Sequence, residues 1–148
     1  MQKRLNNKGF TIVEVLIVLA IAGVILATIL LAVPALQRNS RNTNSKQAAT
    51  QVIADITDAT SANNGAVPTA VSVANGTLTM TVASTPKTYT VPAQITSSSG
   101  SSAPTSSSSL EIIQGTCSGA TATAGTGSSW AVVYYVDGGT PNTGCVSS

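Results

Sequence analysis

Residues 10–36 of this 148-residue chain read FTIVEVLIVLAIAGVILATILLAVPAL, and 22 of these 27 residues are apolar. From Val15 to Val33, 19 consecutive residues carry no charge. At 1.5 Å per residue, a helix of that length crosses a bilayer whose hydrocarbon core is about 30 Å thick. The run is longer than the apolar core of a secretory signal peptide, and no convincing cleavage site follows it. The sequence therefore predicts a membrane helix over residues 10–36.

The remainder of the chain has a different composition. Charged residues make up 8% of the sequence, whereas an average globular protein has about a quarter. Ser and Thr together number 40, so hydroxyl groups must wet much of the surface. With no His, two Cys and five scattered carboxylates, most catalytic constellations are excluded. We expect no enzymatic activity, no cofactor and no metal site.

Glu14 is the one carboxylate inside the apolar run. An acid at mid-bilayer costs roughly 2.5–3.5 kcal/mol on insertion scales, and less near the interface. Such a residue needs a partner. Taken alone, Glu14 fits equally an interfacial side chain that reaches the lipid headgroups.

A specific motif surrounds this carboxylate. Residues 8–14 read KGFTIVE, and the basic residues Lys3 and Arg4 precede them. This run, with the apolar helix after it, resembles the class III signal sequence of type IV pilins and pseudopilins. In that family a membrane-embedded aspartyl peptidase cuts after the Gly on the cytoplasmic side and N-methylates the new first residue. The resemblance implies cleavage between Gly9 and Phe10 and a methylated Phe10, with Glu14 as the fifth mature residue.

The resemblance also implies how the helix is used. After cleavage Phe10 carries a positive amine in an apolar place, and Glu14 of a neighbouring subunit is the expected counter-charge. Pro34 removes one helical hydrogen bond and should kink the helix just before it. In assembled pili of this family, helical structure can be lost between a mid-helix Gly and a Pro, here Gly23 and Pro34.

Beyond Pro34 the helix is predicted to continue as an amphipathic segment over residues 37–60. Its apolar residues recur at three- and four-residue steps; they are Ala49, Val52, Ile53, Ile56 and Ala59. Residues 37–46, QRNSRNTNSK, are polar all round and predict a solvated connecting helix. SANNG at residues 61–65 supplies its stop.

Residues 61–148 predict a β domain. Asn75-Gly76 favours a two-residue type I′ turn, which sets Val73 opposite Leu78 and Val71 opposite Met80. Further strands are predicted at Thr88–Val91, at LEIIQ (residues 110–114) and at WAVVYYV (residues 130–136). The last is rich in aromatic and β-branched residues and predicts a central strand buried on both faces.

Three features of the β domain bear on its surface. The segment Ser97–Ser109 has ten Ser or Thr in 13 positions and predicts a flexible surface loop or, alternatively, an O-glycosylated one. Cys117 and Cys145 are most simply a disulfide in an exported domain, and pilins often close a C-terminal loop this way. Asp137-Gly138-Gly139-Thr140 predicts a turn; the alternative, a calcium loop, has only one carboxylate.

Together these inferences predict an α+β fold. A long N-terminal helix, half transmembrane and half amphipathic, packs on a small antiparallel β-sheet, as in type IV pilins. The expected domains are a cleaved leader (1–9), the transmembrane and filament-core helix (10–36), its amphipathic continuation (37–60) and the Ser/Thr-rich β domain (61–148).

The function implied is that of a structural pilus subunit serving adhesion, motility or DNA uptake. Its partners would be copies of itself, the prepilin peptidase, the ATP-driven assembly machinery and, before assembly, the cytoplasmic membrane, with the N-terminus in the cytoplasm. The mature filament would be extracellular. The alternatives are a pseudopilin of type II secretion or competence and a monomeric, signal-anchored surface binding protein. From residue 47 on, Lys87 opposes four acids, a net charge of −3, so direct binding of nucleic acid is not expected.

Overall fold

The computed structural model describes residues 9–92, 95–98 and 103–148. The leader residues Lys3, Arg4 and Lys8 lie outside the described residues. Contacts divide the chain into an anchor unit, Met1–Gln37, and a head unit, Arg38–Ser148.

A single helix, α1, runs from Ile12 to Ala62 and is continuous through Pro34. In the anchor unit its large apolar side chains are all exposed, from 41% for Val33 upwards, and Phe10 before the helix is 85% exposed. The segment is long and apolar enough to cross a membrane. The helix predicted for residues 10–36 is present from Ile12 onwards, and whether it spans a membrane stays a prediction.

Within the head unit, α1 buries one stripe of side chains. The buried residues are Ser45, Ala48, Ala49, Val52, Ile53, Ile56 and Ala59, which confirms the predicted amphipathic periodicity. The helix ends where expected, because Asn64 and Gly65 adopt left-handed conformations (φ 54° and 82°) and the Gly65 N–H donates to the Thr60 carbonyl at 2.9 Å.

The prediction of a fully solvated helix over residues 37–46 was wrong at Ser45. This side chain is only 3% exposed. Its hydroxyl lies 3.0 Å from the Arg41 carbonyl oxygen and 3.1 Å from that of Ser107, so a small polar side chain could be buried without losing its hydrogen bonds.

The first sheet is a three-stranded antiparallel meander. Its strands are β1 (Ala70–Ala74), β2 (Thr77–Val82) and β3 (Thr85–Thr90), in that order. Val73 pairs with Leu78 and Val71 with Met80, as predicted. Asn75 and Gly76 both have positive φ, as a type I′ turn requires. β3 begins three residues before the predicted third strand.

The second sheet has five strands. They are β4 (Thr96–Ser98), β5 (Ser109–Ser118), β6 (Thr121–Ala124), β7 (Trp130–Tyr135) and β8 (Thr143–Ser147), ordered β4-β5-β7-β8 with β6 paired to β5. β4 runs parallel to β5, and the other pairs are antiparallel. β7 is central, and its first four residues are buried, as predicted.

The predicted loop over Ser97–Ser109 was wrong at both ends. Ser97 lies in β4, and Ser109 begins β5. The Ser97 hydroxyl accepts a hydrogen bond from the Val73 N–H of β1 at 2.8 Å, so a serine supplies a contact that an apolar side chain could not. Residues 99–102 of this segment lie outside the described residues.

Both sheets contribute to one core with the helix. The core comprises α1 residues from Ala48 to Ala59, apolar side chains of β1 and β2, Val91, Ile95 and the β5 and β7 side chains Leu110, Ile112, Trp130 and Val132. This packing of one long helix with a largely antiparallel sheet structure confirms the predicted α+β class. Cys117 of β5 and Cys145 of β8 form the predicted disulfide.

Glu111 lies on the face of the second sheet opposite to the one that contributes Leu110 and Ile112 to this core. It sits between the core residues Leu110 and Ile112, and it pairs with Val133, which in turn pairs with Cys145. Glu111 is only 8% exposed, and burial raises the pKa of its carboxyl group. The ionised carboxylate is therefore disfavoured in the folded state.

Substituting Glu111 should reveal this cost as a pH dependence. The pKa of Glu111 is higher in the folded state than in the unfolded state. The protonated side chain therefore stabilises the folded state fully below the unfolded pKa, and this stabilisation is lost as the pH rises through the folded pKa. Glu111→Gln should therefore make the head unit more stable than the wild type at pH 7, and the difference should shrink towards pH 4. Urea unfolding in detergent micelles, followed by the fluorescence of Trp130, measures this. A variant less stable than the wild type at pH 7 contradicts the assignment.

Candidate processing and assembly site

The Gly9–Phe10 peptide bond lies just outside the helix. Gly9, Phe10 and Thr11 have no regular secondary structure, all three are exposed, and α1 begins at Ile12. Among the described residues, no atom lies within 4 Å of the place where a Cβ on Gly9 would be. The described part of the fold therefore places no steric demand for glycine at this position.

Thr11 caps the helix at this end. The Glu14 N–H donates to the Thr11 hydroxyl at 3.2 Å. The Thr11 carbonyl accepts from the Glu14 and Val15 N–H groups at 3.1 and 3.3 Å. Thr followed three residues later by Glu is the sequence of a capping box. This role of Thr11 was not predicted, although the Thr-x-x-Glu spacing is visible in the sequence.

Glu14 occupies the third position of α1 and is exposed. The unpaired N–H groups of a helix N-terminus carry partial positive charge, which favours a carboxylate in the first turn. In the part of the chain that the structure describes, no ion pair involves Glu14. The carboxylate is thus held at the helix start, and it is available to a cation from another molecule.

Gly23 and Pro34 lie apart from this end. They are 9 and 20 residues beyond Glu14, or roughly 14 and 30 Å along the helix. Helix α1 is intact across both positions. Gly and Pro disfavour a helix interior by about 1 and 3 kcal/mol relative to Ala. This stretch is intrinsically the weakest part of α1, and its melting in a filament stays a prediction.

The remaining predicted residues lie in the head unit. Asp137 follows β7 in the predicted turn, where Gly138 has a φ of 75°. Its carboxylate pairs with the Arg41 guanidinium. The Asn42 side chain accepts from the Asp137 N–H at 2.7 Å and donates to its carbonyl at 3.1 Å. These contacts attach the turn to α1. The Asp137 carboxylate, the one carboxylate of the alternative calcium loop, is paired with Arg41 instead.

Two further acids lie on the C-terminal part of α1. Burial, and secondarily the charge of Asp58, raises the pKa of Asp55. The Tyr89 hydroxyl donates to Asp58 at 3.4 Å, and burial followed by the Asp58 charge raises the pKa of Tyr89. Among the described residues, no group of three or more His, Cys, Asp or Glu side chains could hold a metal ion.

Comparison with known proteins bears on the N-terminal end alone. Residues 4–30 match the family model described as the prokaryotic N-terminal methylation motif. The match covers 27 of the 148 residues, from the leader into the apolar helix. No curated protein and no solved structure matched the chain. The N-terminus is thus similar to class III signal sequences, consistent with a type IV pilin-like protein.

Removing the cap should fray the first helical turn. Thr11→Ala loses the side-chain acceptor, which is worth about 1 kcal/mol, so the Glu14 amide should exchange its hydrogen roughly five-fold faster. Thr11→Ser keeps a hydroxyl and serves as the matched control. Amide exchange measured by NMR on the cleaved chain in lipid nanodiscs tests this. Equal exchange in the Ala and Ser variants would rule out the capping role.

Proposed function

We propose that this chain is the structural subunit of a type IV pilus. One observation carries the proposal. An exposed, non-helical Gly9–Phe10 bond precedes a capped helix, and the single carboxylate in the apolar part of that helix, Glu14, has no ionic partner among the described residues. The methylation motif over residues 4–30 supports it independently. In this role the chain is a substrate and a building block, and it catalyses no reaction.

The first step is processing at the membrane. The motif implies a prepilin peptidase, which hydrolyses the Gly9–Phe10 peptide bond and releases the amine of Phe10, to which a methyl group is then transferred. The precursor fits a membrane-anchored protein whose N-terminus lies in the cytoplasm. Cleavage removes Lys3, Arg4 and Lys8 and leaves 139 residues with four basic and five acidic side chains, a net charge of −1.

The second step is assembly. It selects processed chains, because only they carry the new Phe10 amine. A positive charge at a helix N-terminus is disfavoured by the helix dipole, so the Phe10 amine needs an anion close by. Glu14 of a neighbouring parallel copy can supply it when the two helices are staggered by four residues, roughly 6 Å. Each unpaired ion in an apolar environment costs several kcal/mol, so the pair favours assembled over isolated copies.

The apolar surface of the anchor unit fits the same sequence of events. Its large apolar side chains are exposed from Phe10 to Leu36, and lipid covers such a surface before assembly. Neighbouring helices replace lipid in the filament. Because lipid tails are already apolar, this exchange brings little hydrophobic gain, and packing with specific polar contacts must favour it. Glu14 is the acidic group placed to make such a contact.

The head unit suits the outer surface of a filament. Among its described residues, no large apolar side chain is exposed. The Ser/Thr-rich strands and the Cys117–Cys145 disulfide give a neutral, covalently closed coat that is suited to the extracellular space. An ATP-driven assembly machine would extract the processed subunit from the cytoplasmic membrane and add it to the extracellular filament.

Processing is tested by mass spectrometry of sheared surface material. The proposal predicts a chain that begins at N-methyl-Phe10, 139 residues long. Gly9→Val, which introduces a β-branched side chain without a clash in this fold, should accumulate as the uncut precursor. Surface filaments built from chains that retain residues 1–9 would overturn the proposal.

Assembly is tested by substituting the carboxylate. Glu14→Ala should be cleaved normally, but its filament yield should fall at least ten-fold, because the Phe10 amine then lacks its counter-charge. Thr28→Ala is the control, since the Thr28 hydroxyl is satisfied by the Ile25 carbonyl within the same helix. Quantitative electron microscopy of sheared filaments is the measurement. Wild-type filament yield from Glu14→Ala would show that the carboxylate does not drive assembly.

A further inference from the structure

The exposed side of α1 in the head unit carries opposite charges on its two edges. Lys46 and Asp58 are both exposed, whereas Val52, midway between them, is fully buried. Lys46 lies six residues before Val52 and Asp58 six residues after it. At about 100° per residue, six steps place one group 120° to either side of the buried stripe. The helix therefore presents a basic edge and an acidic edge, separated by an exposed strip.

The strip between these edges holds uncharged side chains, most of which are short. Thr50, Ala54 and Thr57 are all exposed there. Gln47, the longer side chain on this strip, is also exposed and uncharged. The strip therefore brings no charge against a second helix, and its short side chains leave room for another backbone.

Neither charge has an ionic partner in the described part of this chain. The ion pair that the structure shows joins Arg41 and Asp137. Asp58 accepts a long hydrogen bond from the Tyr89 hydroxyl, 3.4 Å, which leaves its charge uncompensated. Lys87 lies two residues before Tyr89 on β3 and forms no ion pair with Asp58.

We propose that Lys46 of one copy pairs with Asp58 of another copy when the subunits assemble. The partner is a second copy of this chain, because the two edges are complementary in charge and lie on the helix that the filament is proposed to pack. The inference rests on the proposed function and adds the contact that fixes the axial position of the head units.

The spacing of the two groups selects a polar, open assembly. They are 12 residues apart, roughly 18 Å along the helix, so they meet only when neighbouring copies are parallel and staggered by that distance. In a parallel two-fold dimer the helices are not staggered, so Lys46 and Asp58 stay roughly 18 Å apart. In an antiparallel two-fold dimer the basic edge faces the basic edge and the acidic edge faces the acidic edge. A staggered contact that repeats generates a filament. The amine contact of Glu14 needs a stagger of only about 6 Å, so the two contacts join different pairs of neighbours.

A zero-length cross-link tests the contact directly. A water-soluble carbodiimide activates the Asp58 carboxyl group, and attack by the Lys46 amine forms an amide and releases the urea. Within one helix the two groups are roughly 18 Å apart and cannot react, so a Lys46–Asp58 peptide can only join two copies. Mass spectrometry should find it in wild-type filaments and not in detergent-dispersed subunits.

Reversing the charge of Lys46 or Asp58 tests whether the contact contributes to filament assembly. Lys46→Glu and Asp58→Lys should each lower filament yield about five-fold, and the double variant should recover most of the yield. Lys87→Glu, an equal change of charge on β3, is the matched control and should assemble normally. Unchanged Trp130 fluorescence shows that each head unit is folded.

The outcomes separate this inference from the proposed function. Normal wild-type filaments without the cross-linked peptide, or a double variant no better than the single ones, overturn the Lys46–Asp58 contact and leave the pilus subunit standing. A wild-type chain that is never cleaved and forms no filaments overturns both.

Discussion

The lone carboxylate in the apolar part of α1 is the constraint on which the proposed assembly depends. Glu14 is tolerable at the start of α1 because the unpaired N–H groups of the helix N-terminus favour a negative charge there, yet it has no ionic partner among the described residues. Cleavage after Gly9 would create an amine whose sign the same helix end disfavours. In the proposed assembly, these two charges pair between copies.

The head unit holds its shape by means that do not use the anchor unit. A stripe of small and branched side chains from Ala48 to Ala59 packs under both sheets, and the disulfide closes β5 onto β8. The Asn42 and Arg41 contacts tie the turn at Asp137 back to the helix. The head unit thus has a core of its own, and the proposed assembly assigns the apolar surface of the anchor unit to lipid and then to neighbouring helices.

Much of this architecture could be predicted because its signals are local. Asn75-Gly76 fixes a turn type and with it the register of β1 and β2, and the motif at Gly9 and Phe10 is contiguous. The features that were missed depend on distant parts of the chain. β4 has no apolar pattern and is a strand because its backbone pairs with β5. β3 starts earlier than predicted because Ala83 and Ser84 form the preceding turn with positive φ, although they lack an Asn-Gly signal. The two edges formed by Lys46 and Asp58 follow from the predicted apolar stripe, but only the structure shows that neither group has an ionic partner among the described residues.

The proposed assembly depends on the pairing of the Phe10 amine with the Glu14 carboxylate of a neighbouring copy. A high-resolution reconstruction of the filament by electron cryomicroscopy measures this directly. The account predicts that the N-methylated nitrogen of Phe10 in one copy lies within 4 Å, the ion-pair distance, of a Glu14 carboxylate oxygen in a neighbouring copy. A filament in which Glu14 faces lipid or solvent, with the Phe10 nitrogen paired to another group or to none, would contradict it.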